Sequence, residues 1–280
     1  MSEPQFPSPG IYFNVPESTY HSVGDPVVSK SLLWDFYKSP FKWKYGPRKK
    51  ATAAMDWGSL VDTLLTDFEN RHKHFVVSTY DRFQSNEAKA WKAAQEAKGL
   101  TVVKQDEWEA AVYAEAAIRN STFAPEILKH AQYQAAIACL TVEQETKISC
   151  IAKCRIDIIP QANGPYGDWV FDLKTTANLG KLESAVADFG YHVQGALYLD
   201  LYNAATNQAH KRSRFGLIFV ESEEPYEVAV VEIHPDDLQA GREWFAKALA
   251  LWCKCNRDNN FPSRYEDEIK VIKRPAWAKE

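Results

Sequence analysis

No uninterrupted apolar run of about 18 residues occurs in this sequence, so it offers no membrane-spanning helix. Its first residues, MSEPQFPSPG, lack the basic and apolar stretches of a secretory leader, and a cytoplasmic protein is the expectation. Positive charge is not in excess: 33 Lys and Arg stand against 37 Asp and Glu, a formal net charge of −4. That balance gives no global sign of a nucleic-acid binder, yet leaves room for a local basic patch beside an acidic site. Cysteines are few and odd in number, at 139, 150, 154, 253 and 255, so at least one is free. Cys150/Cys154 and Cys253/Cys255 have poor zinc spacings and no suitably placed histidine, so all five are expected to be reduced, small core residues. Internal repeats and low-complexity tracts are absent too.

What is there is an ordinary globular balance, 45% hydrophobic and 25% charged over 280 residues, enough to bury a substantial core. Residues 1–27, rich in Pro, Ser and Gly, read as an extended arm. "SKSLLWDFYKSP", 29–40, has a Ser cap and an apolar face, and Ser-Pro ends it. Residues 41–54 read as a basic, aromatic loop, and 55–69 as a strongly apolar helix. Helical spacing continues over 85–98, 105–119 and 123–137. From Cys139 to Thr176 the pattern changes to alternating and β-branched, which predicts a three-strand meander. One long helix over 183–205, strands over 214–221 and 226–233, and an amphipathic helix over 235–256 follow. A polar tail, 257–280, ends the chain. The fold class expected is α+β: a helical N-terminal half, then a mixed central sheet flanked by helices, with 28–256 as one domain.

Chemistry concentrates in the meander. In "WVFDLKTT", 169–176, Asp172 and Lys174 are two apart and share a face of a strand that opens on apolar residues. In the preceding strand, "KCRIDIIP", Arg155 and Asp157 share a face, with Ile156 and Ile158 expected on the other. A Gly/Pro turn joins the two strands, so a hairpin brings Asp157 and Asp172 together. Adjacent carboxylates repel unless a cation lies between them. Hard oxygen donors suit Mg²⁺ or Mn²⁺, bound through one or two carboxylates plus substrate phosphates. Lys174 is then placed to orient water or to balance phosphate charge. Asp-x14-Asp-Leu-Lys is an arrangement for metal-assisted phosphodiester hydrolysis; a surface strand with an Asp/Lys pair is the alternative.

Further motifs stand in order around this pair. Gly58 and Asp62, in "GSLVDTLL", are i, i+4, with Asp62 among leucines, an unfavourable place for an unpaired charge. Metal coordination, capping or a salt bridge each satisfies it. Gln194 and Tyr198, in "QGALY", are i, i+4 on one helical face and can offer an amide and a phenol to a phosphate or to Lys174. "KSPFKWKYGPRKK", 38–50, interleaves Lys38, Lys42, Lys44, Arg48, Lys49 and Lys50 with Phe41, Trp43 and Tyr45, which suits phosphates and unstacked bases. Ser29, Lys30 and Ser31 open a helix, and a helix N-terminus with hydroxyls suits a phosphate. His210, Lys211, Arg212 and Arg214 make a second basic cluster, either DNA-facing or simply a polar loop. Glu143 and Glu145 read as solvated strand positions or a peripheral acidic role.

From about residue 28 to about 205, these motifs resemble the PD-(D/E)xK nuclease superfamily, in its RecB-like branch. Within that branch they are most similar to exodeoxyribonuclease VIII (RecE) type nuclease domains, with lambda exonuclease more distant. The resemblance implies a restriction-endonuclease-like core. It also implies a Mg²⁺-dependent exodeoxyribonuclease that degrades linear double-stranded DNA from a free end, 5′ to 3′, leaving 3′ single-stranded tails. Metal ligands implied are Asp157, Asp172 and the backbone carbonyl of Leu173, with Asp62 added; two Mg²⁺ per site are implied, and Mn²⁺ as a substitute. Asp62 departs from the branch, which usually has His there. Asp157, Asp172, Lys174, Gln194 and Tyr198 are implied as catalytic. Ser29, Lys30, Ser31, Lys42, Trp43, Lys44 and Arg155 are the expected DNA contacts, Ser31 near the 5′-phosphate. The implied partners are further copies of the chain in a ring of three or four, and a RecT-like single-strand annealing protein. An endonuclease or flap-type nuclease, or a non-catalytic DNA-binding module, is the competing reading.

Overall fold

The computed structural model describes residues 5–22, 26–47, 51–263, 269 and 271–274. The chain begins with strand β1 (Gly10–Tyr12), helix α1 (Glu17–Ser22) and strand β2 (Val27–Val28). Helices α2 (Lys30–Lys38), α3 (Pro40–Tyr45) and α4 (Ala53–Thr66) follow. A small parallel pair, β3 (Phe75–Val77) and β4 (Thr101–Val103), brackets α5 (Asn86–Glu96). Helices α6 (Gln105–Arg119) and α7 (Ala124–Leu128) lead into strands β5 (Gln132–Val142), β6 (Ser149–Ile159) and β7 (Trp169–Thr176). Then come α8 (Leu182–Phe189), α9 (Tyr191–Ala205), β8 (Arg214–Glu221), β9 (Val228–Glu232) and α10 (Pro235–Asp258). Among the described residues, no helix is long and apolar enough to cross a membrane.

The main sheet runs β1-β5-β6-β7-β8-β9, with β2 also on β6. The path is antiparallel except for the parallel pair β7–β8, whose connection passes through α8 and α9, as parallel strands require. One apolar core lies between the sheet and α2, α9 and α10; another lies between the opposite face and α4, α6 and α7. The first five residues of β7 are buried because both faces are covered, so its opening Trp169, Val170 and Phe171 are a continuous apolar run rather than an alternating one. This is the mixed sheet with flanking helices expected from the sequence.

Five expectations about the elements differ from what is observed. Residues 41–54 are not a loop: Ser39 ends α2, and its hydroxyl then caps α3 by accepting from the Lys42 N–H at 3.3 Å, with Pro40 in the first turn. Residues 123–137 are not one helix, because α7 stops at Leu128 and His130 takes φ +56. Its second half, Ala-rich and helix-favouring by composition, is strand β5, held by pairing with β6; Ala135, Ala136 and Ala138 are wholly buried. The helix over 183–205 is broken at Gly190, whose φ of +65 ends α8 and turns the chain into α9. Within the N-terminal arm, β1 and β2 join the main sheet. At the other end α10 reaches Asp258, and Phe261 is buried against Trp43.

Candidate active site

Strand β6 divides one edge between two partners. Ile151 and Ala152 pair with β2, and Ile158 pairs with Phe171 of β7. Residues 153–157 have no strand partner on that edge among the described residues. One rung beyond Ile158–Phe171 stand Asp157 and Asp172, where the two strands part. Asp157 compensates for the parting: its Oδ2 accepts the Leu173 N–H at 3.0 Å, a donor that a continued ladder would have satisfied. The Leu173 side chain packs into the α4 core, so Asp172 and Lys174 face the opposite way, toward α9.

Asp172 is buried and closely attended. Gln194 Nε2 donates to its Oδ1 at 2.6 Å and to the Tyr198 hydroxyl at 3.0 Å. The amide and phenol expected to serve Lys174 or a phosphate are thus joined in one chain to Asp172. Lys174 makes a direct ion contact with Asp172 Oδ2, the oxygen that Gln194 leaves free. The Lys174 ammonium also lies 5.1 Å from the centre of the Tyr191 ring. Tyr191 was not singled out from the sequence; its place one turn before Gln194 on the same helix was the available signal.

The electrostatics follow from burial and crowding. Burial, then the charges of Asp172 and Asp62, raise the Asp157 carboxyl well above the usual carboxylate range. Burial first, then Asp172, pushes Asp62 up to about 7. For Lys174, burial opposes the charge, but Asp172 and Asp157 outweigh it and hold the ammonium above its ordinary value. Three carboxylates and one lysine therefore leave a site short of positive charge.

Asp62 reaches the site from α4, where Gly58 lets the helix come close to β7: a Cβ there would stand 3.0 Å from Thr175 Oγ1. Asp62 accepts from Gln134 Nε2 at 3.0 Å on Oδ1 and 2.8 Å on Oδ2. Among the described residues, no three His, Cys, Asp or Glu side chains form a metal-holding group. The expected trio of Asp62, Asp157 and Asp172 is therefore not a preassembled cage, because each carboxylate is drawn to a different element. What remains suits a cation that takes one or two carboxylates and fills its other positions from water and phosphate, as Mg²⁺ does. Asp157 and Asp172, two hard oxygen donors facing each other one rung beyond the last strand pair, are the donor set that fits such an ion.

The expected DNA contacts are dispersed. Ser29 caps α2 by accepting from the Leu32 N–H at 3.3 Å, and its hydroxyl lies 3.2 Å from that of Ser31, which is exposed. Lys30 donates to the carbonyl of Phe189 at the end of α8. Burial, then the Lys174 charge, lowers its ammonium to about 8, so the start of α2 senses the site electrostatically. Lys42 and Lys44 are exposed on α3, but Trp43 is an anchor, edge-on to Phe36 at 5.4 Å and stacked on Phe261 at 6.3 Å. Arg155 is taken up within the chain: it donates to the Val15 carbonyl at 3.0 Å and lies 4.4 Å from the Tyr20 ring centre. Arg48, Lys49 and Lys50 lie outside the described residues. Arg212 is a buried clamp on the β6–β7 turn, donating to the carbonyls of Pro160 and Gly167. Arg214 pairs with Glu232 over the Trp169 ring. Two of that second basic cluster are thus committed to the fold.

Parted antiparallel strands, each bearing a carboxylate where they separate, with Asp-Leu-Lys on the second and a glutamine helix behind, define a fold of the PD-(D/E)xK class. Residues 29–274 match the family described as "PDDEXK-like domain of unknown function (DUF3799)", and the chain belongs to that family. No curated protein matches. Among solved structures, the "Putative exonuclease" of Eubacterium rectale is similar over 94% of this chain and 96% of its own, at 16% identity and a TM-score of 0.60. SSO0001 is matched over 79% of this chain and 85% of its own, at 14% identity and a TM-score of 0.32.

Proposed function

We propose that the protein is a metal-dependent deoxyribonuclease, and specifically an exonuclease that degrades linear duplex DNA 5′ to 3′ and leaves a 3′ single-stranded tail. The observation that carries the phosphodiesterase reading is the buried Asp172, opposite Asp157, with one oxygen held by Gln194 and the other in ion contact with Lys174. Membership of a PDDEXK-like family supports it, as does the name borne by the Eubacterium rectale protein. The exonuclease polarity, the recombination role, a ring of three or four subunits and a single-strand annealing partner rest on the motif resemblance.

Asp157, Asp172 and the Leu173 carbonyl would hold Mg²⁺, with Asp62 as an additional ligand. When bound, the ion supplies Lewis-acid polarisation of the phosphate and neutralises its charge. Lys174 holds its proton and presents an ammonium beside Asp172, where it orients a water or balances the phosphate. Gln194 fixes the Asp172 carboxylate in one rotamer, and Tyr198 fixes Gln194 in turn. Ser29, Lys30 and Ser31 offer hydroxyls and a cation to a strand end.

Linear duplex labelled at either 5′ end and closed circular duplex, each with and without Mg²⁺, test this. Mononucleotide release from the linear 5′ label alone, only with Mg²⁺, is expected. Cutting of the closed circle marks an endonuclease instead, and no hydrolysis of any substrate overturns the enzyme reading.

A further inference from the structure

Gln134 answered to no motif, yet three observations converge on it. The first is its bonding. Its Nε2 donates to both oxygens of Asp62, at 2.8 and 3.0 Å, and reaches the Thr66 hydroxyl at 3.4 Å. An ionised carboxylate only accepts, so the amide nitrogen is the end that must face it.

The second is its backbone. Gln134 stands inside β5 with φ +52, in the left-handed region where a glycine would be free of the Cβ penalty. A glutamine kept in that conformation points to a use for its side chain.

The third is what the irregularity does to the sheet. Tyr133 packs into the α4 core and Ala135 into the opposite one, although residues two apart in a regular strand share a face. On the facing strand Ile158 and Ile156 divide in the same way, which corrects the expectation that they share a side. Tyr133 pairs with Ile158 and Ala135 with Ile156, so Gln134 and Asp157 occupy the rung between. Both strands thus change phase at the rung where Asp157 enters the gap, and there the left-handed Gln134 turns its amide toward Asp62 of α4.

We propose that Gln134 is a positioning residue of the metal site, its amide holding the Asp62 carboxylate so that a cation on Asp157 and Asp172 meets it in a fixed orientation. This rests on the metal-dependent reading above and adds to it the residue that orients Asp62. Gln134 donates to a ligand; it does not itself touch the reacting atoms.

The test is a Mg²⁺ titration of the melting temperature of the DNA-free full chain, for wild type, Asp172→Asn, Gln134→Ala and Gln134→Gly. Loss of a group that orients a metal ligand weakens metal binding by about tenfold or more. Both Gln134 variants are therefore expected to need about that much more Mg²⁺ for half of the shift. In chelator the Gly variant should melt above the Ala variant, because it takes the left-handed conformation without a Cβ. A wild-type Mg²⁺ midpoint in Gln134→Gly overturns the proposal. If wild type shifts with Mg²⁺ and Asp172→Asn does not, that failure belongs to Gln134 alone. If wild type itself shows no shift, the metal reading falls and this inference with it.

Discussion

Asp172 is the residue on which the site depends, because one buried carboxylate is shared by Gln194, Lys174 and the incoming ion. Replacing Lys174 by Ala removes the ammonium and leaves that carboxylate buried without a cation. Turnover at saturating Mg²⁺ should fall by about 10²-fold or more, the scale of losing a key electrostatic group. Melting in chelator should also drop, and Mg²⁺ should restore much of it. Equal wild-type and variant rates would remove Lys174 from the site. Asp62 behaves in the opposite sense. Its carboxyl is raised from an ordinary 3.8 to about 7 by burial and by Asp172, so without metal its contribution to stability falls as pH rises through that interval. Asp62→Asn should therefore melt higher than wild type in chelator at pH 8, yet need more Mg²⁺ to reach its maximal rate. An unshifted Mg²⁺ midpoint for activity would show that Asp62 is not a ligand.

At the scale of elements, the break between α8 and α9 aims the glutamine helix. Gly190 takes φ +65, and a Cβ on it would meet the Trp34 ring at 2.5 Å. Gly190→Ala should cost about 1–2 kcal/mol for the left-handed backbone, with more from the collision. It should also lower activity beyond what stability explains, because Gln194 and Tyr198 are carried by α9. Melting curves and rates measured together separate the two effects. The β5–β6 turn gives a pH signature. Glu143 accepts the N–H groups of Glu145 and Thr146, at 2.9 and 2.6 Å, and the Thr146 hydroxyl, and these bonds pull its carboxyl from 4.5 to about 2. Its stabilisation is fully present above pH 4.5 and is lost as pH falls through 2. The melting temperatures of wild type and Glu143→Ala should accordingly differ at pH 7 and converge toward pH 2. A constant difference would mean that the ionised carboxylate is not the source. Neither reading open at the sequence, a solvated strand position or a peripheral acidic role, describes Glu143: it is buried and builds the turn that follows β5.

For the whole molecule, the N-terminal segment is part of the fold. β1 covers the edge of β5, Lys153 donates to the Tyr20 carbonyl, and Arg155 to that of Val15. Removing residues 1–22 should lower the melting temperature by several degrees, since it uncovers a sheet edge and leaves the buried Lys153 and the half-buried Arg155 without these acceptors. It should also increase self-association, which light scattering reads. An unchanged melting curve would show that the segment contributes nothing to the fold.

The sequence by itself determined the linear order of the chemistry: Gly58 and Asp62 on an apolar helix, Asp157, the Asp172-Leu173-Lys174 strand, and Gln194 with Tyr198. These were legible because each lies within one element whose period is local, two in a strand or 3.6 in a helix. The meander and the flanking helices were legible for the same reason. Tertiary structure alone decided the rest. The Ala-rich run after His130 became a strand because β6 was there to pair with it, which outweighs helix propensity. Arg155 and Trp43 turned inward because the arm and Phe261, far away in sequence, came to meet them. Which oxygen each donor serves was settled only in space, and so was the part played by Gln134. Its left-handed backbone and its reach to Asp62, 72 residues away, leave no periodic trace in the chain.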